Sequence, residues 1–325
     1  MSRKLKVIMI GGTSYSGSTL LELMLANDPV GFSCGEVWSL FMPHKLQQFS
    51  PRFPMEDKDP HFWKRILRKG YSRVYESVAE EIPHIRFITD NTKRPVWQWD
   101  QANRLREHGH EVHHVLIWKT PSELATSFHK RGRGSIWMKK WLNYHRQYFS
   151  MIDTFTSVRY SDLVNNPMTL QNLCESIGIP FFPEKKQYWI KDHYTLFGNK
   201  SAKVHLFDQK SEHYHRVSEK LELGTGDSVG NAHRQVAYKQ SDSTGFKEEI
   251  ETVQSHPSYG SIVQMLKVHD VNSNQTEDFT FPAMPPFEKR LKIMQFHIFR
   301  FVTRINLLFY QLTGLKLGRK VATSE

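Results

Sequence analysis

The chain has 325 residues, enough for one large α/β domain or two smaller ones, and its 39% hydrophobic and 24% charged residues are typical of a globular protein. Its two cysteines exclude a disulfide framework and a cysteine-rich zinc site. The net charge is +11, but residues 289–325 hold eight Lys or Arg against one Glu, a balance of +7. The first 288 residues therefore carry only +4, and nucleic acid is not an expected partner.

The hydrophobic pattern predicts strands that alternate with helices. The predicted strands lie near residues 4–10, 85–89, 112–118 and 155–160. The predicted helices lie near residues 18–27, 60–79, 97–108, 121–130, 135–152 and 167–177. This order is typical of an α/β fold, a three-layer sandwich in which helices cover both faces of a central parallel sheet. Ligands of such folds bind at the carboxyl ends of the strands.

The segment after the first predicted strand indicates a phosphate site. An apolar run at residues 7–10 ends in two glycines, and a short Ser/Gly loop then leads into a helix with an apolar stripe. Unpaired N–H groups and the helix dipole favour an anion at such a turn. The spacing from Gly12 through Gly17 to Thr19 matches a P-loop, except that Ser18 replaces the lysine of nucleotide-hydrolysing enzymes. The alternative is an ordinary Gly/Ser turn of an α/β domain.

A loop of this kind without the lysine resembles the 5′-phosphosulfate loop of sulfotransferases that use PAPS (3′-phosphoadenosine 5′-phosphosulfate). The matching residues are Tyr15, Ser16, Gly17, Ser18 and Thr19. Tyr15 stands where the family usually has Lys or Arg. The resemblance implies a P-loop-like fold, PAPS as donor, PAP (3′,5′-adenosine bisphosphate) as product and no metal requirement. It also implies a hydroxyl-bearing acceptor: a carbohydrate, a lipid, a tyrosine or a small metabolite. Alternatively, Ser18 and Thr19 only cap the helix.

A second segment resembles the 3′-phosphate site of the same family. The strand predicted at 112–118 is broken by Lys119, and Pro121 suits the first turn of the next helix. The family has an arginine at the position of Lys119 and a serine eight residues later, which corresponds to Ser127. A lysine pairs with phosphate as a point charge, without the bidentate fork of arginine. A basic turn follows, which either adds positive potential or is simply solvated: Lys130, Arg131 and Arg133.

Three more segments resemble the family in the same chain order. Residues 89–93 resemble the Asp-Ser-Ser-Lys turn of carbohydrate sulfotransferases, and residues 159–167 resemble the Tyr-x-Asp-Leu-x-x-x-Pro segment. Further on, His193 and a Gly-Asn sequence resemble a loop that closes over the cofactor. Its residues are Gly198, Asn199 and Lys200, with Lys203 in the place of an arginine. The resemblance spans residues 5–205.

Two residues are the catalytic candidates. Glu36 lies in a Gly-Glu segment that resembles one in tyrosylprotein sulfotransferases, where the glutamate is the general base that takes the proton of the acceptor hydroxyl. Alternatively, Glu36 is stabilised only by the dipole of the next helix. Lys93 would stabilise charge on the transferring group, or it is a surface lysine in front of a helix.

Two other functions are compatible with the same loop. A P-loop kinase or phosphotransferase would need the missing lysine and an acidic Mg²⁺ ligand at a strand end. A non-catalytic nucleotide-binding relative would account for Tyr15 and Lys119 as marks of a decayed site. Metal-independent transfer of sulfate from PAPS distinguishes the first of these from a sulfotransferase.

The sequence predicts a sulfotransferase domain at 1–270, a linker or surface loop at 271–288 and a basic helical segment at 289–325. Residues 291–312 are apolar around much of a helix, but two arginines and a histidine argue against a membrane span. The segment packs on the enzyme body, lies on an anionic membrane surface, or joins two copies through residues 289–320. The first strand begins without an apolar leader, which predicts a cytoplasmic protein, peripheral on a membrane in the second case.

Overall fold

The computed structural model describes residues 4–42, 59, 61–203, 206, 210, 246–273, 279–282 and 284–313. Five strands form one sheet in the order β2-β3-β1-β4-β5, and every neighbouring pair is parallel. The strands are β1 Lys6–Gly11, β2 Gly31–Ser33, β3 Phe87–Asp90, β4 Glu111–Trp118 and β5 Thr156–Arg159. The predicted α/β fold with a central parallel sheet is confirmed.

The helices of the first half of the chain are α1 Ser18–Ala26, α2 Phe62–Lys69, α3 Val74–Glu81, α4 Pro95–Glu107, α5 Pro121–His129 and α6 Ile136–Met151. Those of the second half are α7 Tyr160–Asn165, α8 Pro167–Ser176, α9 Lys200–Lys203, α10 Lys247–Gln254, α11 Tyr259–Val268 and α12 Pro286–Thr313. Short 3₁₀ turns lie at Val37–Phe41, Tyr71–Arg73, Pro183–Lys186 and Tyr188–Ile190.

The core has two layers because successive side chains of a strand point to opposite faces of the sheet. Ile8 and Ile10 of β1 pack with the leucines of α1 and α8 on one face. Val7 and Met9 face the other way and pack with α2, α3 and α4. On that second face, residues of β4 pack with α5, α6, α10 and α11. The three-layer arrangement follows from this alternation.

Three elements differ from the predicted ones for local reasons. The helix predicted at 60–79 is two helices, because Gly70, with a φ of 90°, ends α2 and turns the chain towards α3. Strand β2 was not predicted, since three residues are too few to show alternation. Helix α12 begins at Pro286, within the segment predicted as a linker, because proline suits a first helical turn.

Helix α12 contacts the rest of the protein along one face. The rings of Phe296 and Phe299 stack on Trp38, with centroid distances of 5.9 and 5.4 Å. Arg300 follows Phe299 directly, and one of its guanidinium nitrogens lies 3.5 Å from a carboxylate oxygen of Asp100. Across the described residues, no helix combines the length and the apolar character that a membrane crossing requires.

Candidate functional site

The candidate site lies at the carboxyl edge of the sheet, where every strand end contributes to it. Across the sheet these contributions are Glu36 after β2, Lys93 after β3, the loop 12–19 after β1, Lys119 after β4 and Tyr160 after β5. The phosphate loop is therefore central. The carboxylate and the lysine of β2 and β3 lie on one side of it, and the lysine of β4 lies on the other.

The phosphate loop presents open hydrogen-bonding groups. Gly17 precedes α1 with a φ of 104° and has no side chain to cap the helix, so the N–H groups of the first turn lack an intrahelical partner. The hydroxyl of Ser16 is buried and has no hydrogen-bond partner among the described residues. A buried hydroxyl without a partner is costly, and an anion bound in the loop would satisfy it.

Helix α6 supports the loop from below. The N–H of Gly12 donates to the hydroxyl oxygen of Tyr144 at 2.7 Å. A Cβ on Gly11 would lie 3.0 Å from the same oxygen, so the backbone approaches α6 closely. Burial raises the pKa of Tyr144, which keeps its hydroxyl protonated at physiological pH. The hydrogen bond to Tyr144 therefore fixes the position of the start of the loop relative to α6.

Tyr15 contacts a cation from another element. Its φ is 68°, and its ring packs edge-on against Phe128 at a centroid distance of 5.0 Å. The guanidinium of Arg131 lies 4.5 Å from the centre of the Tyr15 ring and donates to the carbonyl of Ser127 at 2.6 Å. The basic turn after α5 therefore supplies positive charge beside the loop.

Lys119 and Ser127 form a second polar group next to the loop. The Nζ of Lys119 donates to Oγ of Ser127 at 3.0 Å, and this Oγ donates to the carbonyl of Glu123 at 2.9 Å. The same Nζ lies 4.1 Å from the centroid of the Tyr160 ring. That ring also packs on Gly17, where a Cβ would lie 2.7 Å from Cε2 of Tyr160. One aromatic ring thus joins the phosphate loop to the lysine–serine pair.

The start of α5 positions this pair. Thr120 Oγ1 accepts a hydrogen bond from the N–H of Glu123 at 3.3 Å, and the carboxylate of Glu123 accepts one from the N–H of Thr120 at 2.7 Å. This reciprocal capping box fixes the first turn of the helix. Ser127 follows one turn later on the same face and therefore meets Lys119.

On the other side of the loop, Glu36 and Lys93 form an ion pair. Oε1 of Glu36 lies 2.5 Å from Nζ of Lys93, and both side chains are mostly buried. The carboxylate makes no cap hydrogen bond to the 3₁₀ turn 37–41 that follows it. A carboxylate can accept a proton and an ammonium can stabilise negative charge, so the pair brings together two groups that acid–base chemistry can use.

A buried carboxylate that was not among the predicted site residues connects these turns. Glu22 is the only charged residue of α1. Its Oε1 accepts hydrogen bonds from the hydroxyl of Ser33 at 2.6 Å and from the N–H of Gly35 at 2.5 Å. Its Oε2 accepts one from the carboxamide of Asn91 at 2.6 Å. Glu22 therefore links the helix of the phosphate loop to the turn of Glu36 and to that of Lys93.

Burial raises the pKa of Glu22 to about 7, although hydrogen bonds from Ser33 and Gly35 and the charge of Lys203 act in the opposite direction. The pKa of a glutamate in the unfolded chain is about 4.3, so the folded protein binds more protons than the unfolded chain between the two values. The stability that this proton binding provides is fully present below pH ~4.3 and is lost as the pH rises through ~7.

We expect the Glu22→Gln variant to lack this pH dependence. Over that window, the free energy of unfolding of the wild type should fall relative to the variant by up to about 4 kcal/mol, because the two pKa values differ by about 2.7 units and each unit corresponds to about 1.4 kcal/mol. Urea unfolding at several pH values measures the difference. The exposed Glu251→Gln is the matched control and should behave as the wild type. Parallel pH profiles for Glu22→Gln and the wild type would contradict the assignment.

The predicted cofactor-closing segment contacts both the loop helix and the turn of Glu36. The N–H of Asn199 donates to the Thr19 hydroxyl oxygen at 3.1 Å, and a Cβ on Gly198 would lie 2.9 Å from that oxygen. Leu196 forms a parallel bridge with Gly35, in which the N–H of Glu36 donates to the Leu196 carbonyl at 2.8 Å. The side chain of Lys200 lies outside the described residues.

Two basic residues of this segment are turned inward. His193 has a ring nitrogen 2.8 Å from the Tyr188 carbonyl, and burial lowers its pKa to about 4, so the ring is neutral at physiological pH. The Nζ of Lys203 donates to the Thr195 carbonyl at 3.3 Å, and its side chain is buried. The charge of Lys203 acts on the buried carboxyl group of Glu22.

The acidic residue at the end of β3 has a structural role. The carboxylate of Asp90 accepts hydrogen bonds from the hydroxyl of Tyr75 at 2.6 Å, the indole N–H of Trp97 at 3.0 Å and the N–H of Thr92 at 2.7 Å. These bonds hold the turn that carries Lys93. In the described part of the chain, no three His, Cys, Asp or Glu side chains are grouped as metal ligands would be.

The predicted residues Tyr15 to Thr19, Glu36, Lys93, Lys119, Ser127, Gly198 and Asn199 all lie at this edge or on the segment that contacts it. Their roles remain predictions. Four contributing residues had no predicted role of their own: Glu22, Asn91, Tyr144 and Tyr160. Glu22 could have been identified from the sequence, because it is the only charged residue in an apolar helix. Tyr160 is the tyrosine of the Tyr-x-Asp-Leu segment at residues 159–167, but Tyr144 left no signal, because aromatic residues in helices are usually core residues.

No family model and no curated protein sequence matches this chain. Among solved structures, it is similar to the sulfotransferase domain from the olefin synthase of Synechococcus PCC 7002. The two are 14% identical with a TM-score of 0.48, over 79% of this chain and 97% of that one.

Proposed function

We propose that this protein is a sulfotransferase that moves the sulfuryl group of PAPS to an acceptor hydroxyl. The observation that carries the proposal is the pair of anion-binding groups at the ends of β1 and β4, joined through the ring of Tyr160. PAPS has a phosphosulfate and a second phosphate on one ribose. These two anionic groups are held at a fixed separation, which matches two anion-binding groups on one rigid edge of the sheet.

The residues at the edge fit this donor. The loop offers N–H groups and the hydroxyl of Ser16, which has no hydrogen-bond partner among the described residues. The loop lacks a lysine, which suits a phosphosulfate because this donor needs no metal-bound triphosphate chemistry. Lys119 and Ser127 would hold the 3′-phosphate, and Arg131 would add charge between the two groups. When bound, PAPS supplies an activated sulfuryl group whose leaving group is already a phosphate.

Transfer requires the acceptor oxygen to bond to sulfur while the bond from sulfur to the 5′-phosphate oxygen breaks, and PAP leaves. We assign Glu36 as the base that takes the hydroxyl proton. Lys93 loses its charged partner once Glu36 is protonated, and its ammonium then stabilises the charge on the transferring oxygens. Glu22 acts as a positioning residue, because it holds the turns of both side chains.

Transfer of radiolabelled sulfate from PAPS to a panel of hydroxyl acceptors, in the presence of a metal chelator, tests the proposal. We expect labelled product without added metal. Turnover that requires ATP and Mg²⁺ would identify a phosphotransferase instead. Binding of PAP without turnover on any acceptor would identify a non-catalytic nucleotide-binding protein.

The variant Lys119→Met tests where the 3′-phosphate binds, since methionine keeps most of the aliphatic length and removes the charge. We expect its affinity for PAP to fall about 10- to 100-fold, the range for loss of a charge-assisted hydrogen bond. Its affinity for AMP, which has no 3′-phosphate, should stay unchanged in calorimetric titration. The exposed Lys139→Met is the control for PAP. Equal losses for PAP and AMP would place Lys119 elsewhere.

A further inference from the structure

Helix α12 has a second face that is largely exposed in the described structure. Its docked face carries Phe296, Phe299 and the largely buried Thr303. The opposite face is a stripe of apolar side chains that are 45% to 85% exposed: Phe287, Met294, Ile298, Phe301, Ile305, Leu308 and Leu312. They recur every three, four or seven residues, so they form one line along the helix. A continuous exposed line of this length marks an interaction surface.

One edge of this apolar stripe is basic. Arg290, His297 and Arg304 are exposed and follow one another at seven-residue intervals, so they flank the stripe along one edge. Residues 289–324 contain no Asp or Glu. Three further basic residues follow the described helix in the sequence: Lys316, Arg319 and Lys320.

These charges argue against a second copy of the chain as the occupant. Two parallel helices would pair the basic edge with the other edge of the stripe, where Gln295 and Val302 are uncharged and the only carboxylate is Glu288 in the first turn. Two antiparallel helices would bring arginines face to face, and like charges repel there. Val302, which is 39% exposed, also adds to the apolar face. The face is therefore wider than the two apolar positions per heptad of a two-stranded coiled coil.

We propose that α12 binds the surface of an anionic lipid bilayer. The apolar stripe would enter the boundary between headgroups and acyl chains, while Arg290 and Arg304 pair with lipid phosphates. Because Phe296 and Phe299 stack on Trp38, only two residues from Glu36, the helix would anchor the Glu36 side of the site near the lipid. Surface binding needs neither donor nor acceptor, so it can be tested apart from the proposed function.

Flotation of the full chain with lipid vesicles tests this proposal. We expect the protein to float with vesicles of phosphatidylcholine and phosphatidylglycerol, to bind phosphatidylcholine alone at least about tenfold more weakly, and to detach as the salt concentration rises. The double variant Arg290→Glu/Arg304→Glu should lose at least about tenfold in affinity. The double variant Phe301→Ser/Ile305→Ser should lose a similar factor, because it removes apolar area from the stripe.

The control is Ile136→Ser/Ile190→Ser, which removes equally exposed isoleucines from the body of the protein and should float as the wild type does. Circular dichroism checks that each variant keeps its fold. Absence of flotation, or equal binding to neutral and anionic vesicles, would overturn the proposal. So would a dimer in analytical ultracentrifugation that Phe301→Ser/Ile305→Ser dissociates while vesicles remain unbound.

Discussion

The Glu36→Gln variant is expected to lose sulfuryl transfer by at least about 10²-fold in kcat, the usual effect of removing a positioned general base. Glutamine keeps the size of the side chain and an oxygen that accepts from Lys93, so the turn should stay in place. The N–H of residue 36 still donates to Leu196, because this bond uses only the backbone. PAP should therefore bind to the variant as it does to the wild type.

Steady-state transfer and calorimetric binding of PAP, measured on the same preparations, check this expectation. Glu251→Gln makes the same chemical change at an exposed position on α10 and should leave both quantities unchanged. Wild-type turnover by Glu36→Gln would remove Glu36 from the mechanism. A loss of PAP affinity that matches the loss of turnover would reassign Glu36 to donor binding.

The Gly17→Ala variant is expected to lose at least about 10²-fold in affinity for PAP, because the new methyl group displaces the Tyr160 ring on which both anion-binding groups depend. The Cβ of residue 17 would lie within van der Waals overlap of Cδ2 and Cε2 of that ring. The φ of 104° is also unfavourable for alanine, so we expect about 1 kcal/mol or more of lost stability.

Gly109→Ala separates these two effects. Gly109 has a φ of 78°, but a Cβ there meets no atom within 4 Å. Both variants should therefore be less stable in urea unfolding, and only Gly17→Ala should bind PAP weakly. If Gly17→Ala bound PAP as tightly as Gly109→Ala does, the proposed role of Tyr160 in joining the two anion-binding groups would be wrong.

The elements that could be predicted from the sequence are those with strong local signals. Strands β1 and β4 are buried on both faces and read as apolar runs, and the glycines after β1 mark the turn at its end. The phosphate loop and Lys119 follow directly from these strand ends. Strand β2 is too short to show alternation, and the break at Gly70 depends on one glycine with a positive φ inside an otherwise helical pattern.

The contacts between the site residues could not be predicted from such local signals. Glu36 and Lys93 were separate candidates, and only the order of β2 and β3 in the sheet brings them to 2.5 Å. Glu22 can be buried because three hydrogen-bond donors from two distant turns satisfy its carboxylate. The contact of Arg131 with Tyr15 depends on where a flexible side chain points after a helix ends. Each of these is a long-range effect of packing.

The bridge between Gly35 and Leu196 has a consequence for the order of events in a catalytic cycle. Residues 196–199 are tied at one end to the backbone of Glu36 and at the other to the Thr19 hydroxyl. A ligand that displaces this short span would also shift the backbone of Glu36. With Glu36 as the proposed base, we therefore expect an ordered cycle in which the donor binds first and the nucleotide product leaves last.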